Sequence, residues 1–93
     1  MHYSFDSAKR AANLRKHGLD LEDARQVIES GDTVTFEDLR YECHEYDEPR
    51  FITFGMLREQ VVVIVTAEVE SHIRVISLRK ADRHEQKIHF ENR

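Results

Sequence analysis

Two short blocks of the 93-residue chain concentrate side chains able to handle a phosphate. In the first, Lys9, Asn13, Lys16 and His17 recur at i, i+4, i+7 and i+8, which at about 100° per residue puts all four on one helix face. No acid interrupts that stripe. In the second, Arg74, Ser77, Arg79 and Lys80 punctuate an apolar segment, and Arg83 and Lys87 carry the positive charge onward. Arginine presents a planar fork of N–H donors that matches phosphate oxygens in pairs, and lysine a mobile point charge. His17 adds a group that titrates near neutrality. Strand periodicity sets Ile73, Val75, Ser77 and Arg79 on one face and Arg74, Ile76, Leu78 and Lys80 on the other. Ser77 and Arg79 therefore form a pair, which Arg74 joins only where a bulge or the sheet edge turns it. Glu68, closing an apolar run, is either a general base or an ion-pair partner of Arg74 or Arg79. Each block also fits a purely structural role: a solvated helix face ending in a dipole-capping histidine, and an edge strand guarded by charge.

The elements that must position these residues follow from spacing. His2 to Phe5 reads as a short first strand. Asp6 is suited to cap a helix from Ser7 to about Lys16, with Ala8, Ala11 and Ala12 on the side expected to pack against a sheet, and His17-Gly18 supplies its stop. A second helix spans Leu21 to Ser30, where Leu21, Ala24, Val27 and Ile28 keep helical spacing. Val34 and Phe36 alternate with polar neighbours in a strand, followed by a polar loop from Arg40 to Pro49. Phe51 to Leu57 and Gln60 to Ala67 are too closely spaced for anything but a hairpin around Arg58-Glu59. His72 to Lys80 is the last strand and Asp82 to about Glu91 a final helix. The expected fold is α+β: an antiparallel sheet with the two N-terminal helices on one face and a C-terminal helix, in the order βααββββα.

Composition narrows the function classes. Forty per cent hydrophobic and 34% charged residues exclude a disordered chain. The run Val61 to Val65 is far short of the roughly 20 apolar residues needed to cross a bilayer, and the first residues lack the apolar core of a secretory signal, so a cytoplasmic location and no membrane contact are expected. A length of 93 residues suits one domain, 1–93. The lone Cys43, in Glu42-Cys43-His44-Glu45, reads as an incidental loop thiol in a reducing compartment, and no metal site is expected. The net charge of −4 is strongly segregated, at +3 over residues 1–17, −10 over 18–70 and +3 over 71–93. If the two ends meet, they form a cationic surface on an acidic body. With three glycines in the chain, a phosphate-cradling loop or dinucleotide fingerprint is absent.

Phe5-Asp6, then Lys9-x3-Asn13-x2-Lys16-His17-Gly18, then Arg74-Val75-Ile76-Ser77-Leu78-Arg79-Lys80-Ala81-x3-Glu85, together resemble the BrnT family of bacterial type II toxins across nearly the whole chain. Thr35-Phe36-Glu37-Asp38 and Arg50-Phe51-Ile52-Thr53-Phe54-Gly55 fit the same pattern. The resemblance implies a RelE-like fold and an endoribonuclease that uses no metal or other cofactor and arrests translation until a cognate antitoxin, BrnA-like and of ribbon-helix-helix type, occupies it. RNA is then the substrate, operator DNA is reached only through the antitoxin complex, and the assembly is a dimer or a heterotetramer with antitoxin. The catalytic candidates it implies are His17, Glu68, Arg74, Ser77 and Arg79, with Lys9, Asn13, Lys16, Lys80 and Arg83 holding RNA phosphates. Where relatives carry Glu-Trp-Asp near the start, this chain has Ser4-Phe5-Asp6, and where they flank the acidic residue with Thr and Arg it has Ala67 and Val69.

RNA cleavage of this kind needs the 2′-hydroxyl deprotonated and aligned, charge stabilised on the phosphoryl oxygens, and a proton for the leaving oxygen. Arg79 and Arg74 suit the charge, Glu68 or His17 the base, and His17 or Lys16 the acid. The rival readings are a toxin-like scaffold that binds a partner or nucleic acid without cutting it and, ranked lower because no helix has a recognition pattern, a DNA-binding module.

Overall fold

A computed structural model of the chain describes residues 2–38 and 49–92. The elements run β1 (His2–Ser4), α1 (Ser7–His17), a 3-10 turn (Leu21–Asp23), α2 (Ala24–Glu29), β2 (Val34–Asp38), β3 (Arg50–Leu57), β4 (Gln60–Val69), β5 (His72–Lys80) and α3 (Arg83–Asn92). The Cys43 group and most of the expected Arg40 to Pro49 loop lie outside the described residues.

Asp6 starts α1 by accepting the backbone N–H groups of Ala8 and Lys9 at its Oδ1, at 2.7 and 3.4 Å. Gly18 ends it in the left-handed region, φ 70°, with its N–H on Leu14 O, a geometry that costs a residue with a Cβ about 1 kcal/mol more than glycine. Arg10 lies over the Phe5 ring and holds Asp20 at 2.7 Å and Glu22 at 2.7 Å, so α1 is tied at once to the chain before and after it. The helix expected over Leu21 to Ser30 is divided, tightening to a 3-10 turn before α2. Arg58 and Glu59 both take positive φ, 49° and 68°, the pairing that matches a two-residue hairpin to the twist of its strands.

The four strands that follow the helices pair antiparallel in sequence order, and β1 adds a fifth beside β5, giving the order β1-β5-β4-β3-β2. The β1–β5 pairing is parallel. The expectation of a wholly antiparallel sheet is therefore corrected to a mixed one: β1 and β5 are not joined by a hairpin, and α1 continues past the end of β1 along the same edge of β5. One face packs Leu57, Val62, Ile64, Val75 and Leu78 against Leu19, Leu21, Ala24 and Val27. On the opposite face Phe54, Val61, Val63 and Ala81 are covered by Ile88 of α3. The unbroken Val61–Val65 run follows from this, since β4 is buried on both faces. Gly55 lets α2 approach: a methyl group there would drive into Cγ1 of Val27.

Candidate nucleic-acid site

Because β1 ends at Ser4, its pairing with β5 stops at Arg74. Beyond that point α1 occupies the strand's place. Asn13, the buried residue of α1, donates from Nδ2 to Leu78 O and to Leu19 O, both at 2.8 Å, and accepts the Leu78 N–H at Oδ1, 3.2 Å. Its carboxamide imitates the peptide group of a missing strand. This corrects two expectations. Ala8, Ala11 and Ala12 are exposed rather than packed, and Asn13 is committed to the protein instead of reaching for RNA. The rest of the stripe surrounds a cleft of about 210 Å³ between α1 and β5, lined by Lys9, Ala12, Asn13, Lys16, His17, Ile76 and Ser77.

The β4–β5 ladder slips inside this region. Val65 stands opposite Ser77 but Thr66 opposite Val75, which leaves Ile76 as an extra residue. A bulge of this kind reverses the inside-outside parity of everything beyond it. Val75 and Leu78 consequently enter one core cluster, and Arg74, Ser77 and Arg79 share the opposite face, across from Ala67, Val65 and Val63. Strict alternation would have separated Arg74 from the other two. Their partners are two positions apart on β4, so the three stand in a row about 7 Å apart.

Arg79 is itself anchored. Its Nη1 and Nη2 donate to Oε1 and Oε2 of Glu85, each at 2.8 Å. Glu85 accepts the Asp82 N–H at 2.9 Å while Asp82 accepts the Glu85 N–H at 2.8 Å, a reciprocal cap on the start of α3. The guanidinium holds the Glu85 carboxyl below the usual carboxylate range, and Glu85 in turn raises Arg79. Beside this pair, burial, then Lys16, then Arg79 push the His17 imidazole below its ordinary value of 6.5. It is therefore neutral, and able to accept a proton, at pH 7. The pairing of Arg79 with Glu85 is not among the sequence expectations, although Asp82-x-x-Glu85 has capping-box spacing.

The remaining candidates lie elsewhere. Glu68 stands opposite Ile73 on the helix-bearing face, where it borders a separate cavity of about 260 Å³ with Ile28, Thr35, Phe51, Thr53, Thr66 and Ile73. It lies five positions along β4 from Val63, the partner of Arg79, or about 17 Å along the strand. Glu68 therefore reaches neither Arg79 nor the cleft. Lys80 points into a third cavity with Glu59, Gln60, Gln86 and Phe90, and Arg83 is exposed on the first turn of α3. Among the described residues no three His, Cys, Asp or Glu side chains converge as a metal site would require.

A model of the ribonuclease toxin BrnT of type II toxin–antitoxin systems matches residues 5–85. The chain belongs to the BrnT family. The matched span holds both cationic blocks and ends on Glu85, the residue that anchors Arg79. No curated protein matches the chain. Membership in the BrnT family implies an RNA substrate and an antitoxin partner, and the α1–β5 cleft of this BrnT-family chain is lined by Lys9, Lys16, His17 and Ser77 from its two cationic blocks.

Proposed function

We propose that this chain is a single-domain, RelE-like endoribonuclease that cuts single-stranded RNA in the α1–β5 cleft without a metal ion, stopping translation in the cytoplasm until an antitoxin covers it. The observation that carries the reading is the bulge at Ile76, which sets Arg74, Ser77 and Arg79 on one face, with Ser77 lining the cleft beside Lys16 and His17 and Arg79 near enough to His17 to lower its pKa. RNA phosphates lie along that row, with the scissile group near Arg79. Neutral His17 takes the proton of the 2′-hydroxyl, and the freed oxygen attacks the adjacent phosphorus. The bond from phosphorus to the 5′ oxygen breaks, and that oxygen takes a proton from the Lys16 ammonium. The products are a 2′,3′-cyclic phosphate and a 5′-hydroxyl. Arg79 stabilises the charge that builds on the phosphoryl oxygens, and Lys9 and Arg74 hold flanking phosphates. Glu68 has no part in this scheme. The partner is a BrnA-like antitoxin of ribbon-helix-helix type, and through its DNA contacts the pair represses its own operon.

Purified protein incubated with RNA in a chelator tests the reading. Wild type should yield cyclic-phosphate ends, while His17→Ala and Arg79→Ala should each lose about 100-fold or more in rate. RNA left intact by wild type, together with tight binding of the antitoxin, would instead establish a toxin-like scaffold.

A further inference from the structure

The Arg79–Glu85 pair limits what Arg79 can offer a ligand. A guanidinium carries five N–H donors. One on Nη1 and one on Nη2 are taken by Glu85, and the second on Nη1 lies 3.3 Å from Lys80 O. The two that remain are the Nε–H and the other Nη2–H. They lie side by side on one edge of the plane and point the same way, the arrangement that meets two oxygens of a phosphate together. The side chain keeps 37% of its surface exposed.

We propose that Glu85 is a positioning residue: by gripping the far end of the Arg79 guanidinium, it fixes the Nε–Nη2 edge toward the scissile phosphate. The proposal rests on the ribonuclease reading and assigns a role to a residue that reading leaves out. Glu85 is well suited to the task. It is 17% exposed, and the reciprocal bonds with Asp82 lock its own conformation. The joint between β5 and α3 is fixed as well, by the Ala81 N–H on Val61 O at 2.9 Å, and Ile88 seats α3 on the sheet. A free arginine would sample many rotamers and lose that freedom on binding RNA. A clamped one has lost it during folding, so more of the contact with phosphate is available to the transition state. The clamp also explains how a neutralised cation contributes: Arg79 supplies direction, while Lys9 and Lys16 supply net charge.

Glu85→Gln keeps the acceptor for the Asp82 N–H and removes the charge that grips Arg79. The expected result is a fall in kcat of about 10- to 100-fold with KM changed less than about threefold. In an Arg79→Ala background the same change should cost under about twofold more, because its effect passes through Arg79. Glu85→Asp, which retains charge but is too short to hold both ends, should behave like the Gln variant, with thermal unfolding confirming that each variant is folded. Equal losses in both backgrounds, or full activity in Glu85→Gln, would overturn the assignment. A second readout does not depend on cleavage. The NMR signal of the Arg79 Nε–H should move when a 2′-O-methyl RNA oligonucleotide is added to wild type, and should stay put or broaden in Glu85→Gln. If wild type cuts no RNA but this difference appears, the ribonuclease reading fails and the clamp stands; a signal unmoved in wild type refutes the clamp.

Discussion

Replacing Asn13 separates a structural role from RNA binding. The side chain makes three hydrogen bonds, two to the backbone of Leu78 and one to Leu19 O, and is itself buried. Asn13→Leu leaves three backbone polar groups without that partner. Each buried group so orphaned costs about 1 to 3 kcal/mol, but the neighbouring cleft admits water to some of them, which brings the expected total to about 3 kcal/mol. In a domain of this size that corresponds to roughly 12 to 24 °C in Tm. Asn13→Asp is a sharper probe, since it keeps the acceptor for the Leu78 N–H but turns a carboxylate oxygen toward two carbonyls. Its folded pKa should rise, so its deficit relative to wild type is full above that raised pKa and shrinks as pH falls through it toward the ordinary carboxylate value. Urea titrations followed by far-UV circular dichroism give both numbers, the chain having no tryptophan for fluorescence. An Asn13→Ala protein with an unchanged urea midpoint but weakened RNA binding would refute the argument and return Asn13 to the RNA-binding stripe.

Further outcomes are expected. Glu68→Gln should cleave RNA within about twofold of wild type, because Glu68 stands about 17 Å along the strand from Arg79; a loss beyond tenfold in a rate assay would place a catalytic carboxylate there after all. Gly55→Ala should cost about 1 to 3 kcal/mol in a denaturant titration, since the added methyl meets Val27 where α2 crosses β3. The pH–rate profile should rise with pH through a His17 pKa below 6.5 and be past that rise at neutrality. Stability follows the same group: the folded state binds the His17 proton less well than the unfolded chain, so His17 lowers stability as pH falls from about 6.5. Glu85 and Asp20, both depressed by arginines, contribute stability that is lost at lower pH, as each carboxyl is protonated in the folded protein.

Local chemistry made much of this protein legible in its sequence. Asp6 and Gly18 bound α1 because capping depends on a few adjacent residues, and Arg58-Glu59 marks a hairpin because its flanking strands leave no other path. The two cationic blocks could be recognised as one kind of surface, since residue type alone says what binds phosphate. Which of those residues meet depended on long-range packing. The extra residue at Ile76 appears only when β5 is laid against β4, and it alone brings Arg74 round to Ser77 and Arg79. Asn13 turns inward because β1 is too short to satisfy Leu78, a deficit invisible from the helix itself. Glu68 is separated from the cleft by the thickness of the sheet, and Arg79 is paired with a carboxylate on the next helix. Sequence determined the chemical repertoire, through properties each residue carries wherever it sits. Tertiary structure decided the assignments, because strand register and backbone hydrogen-bond satisfaction are settled only between segments.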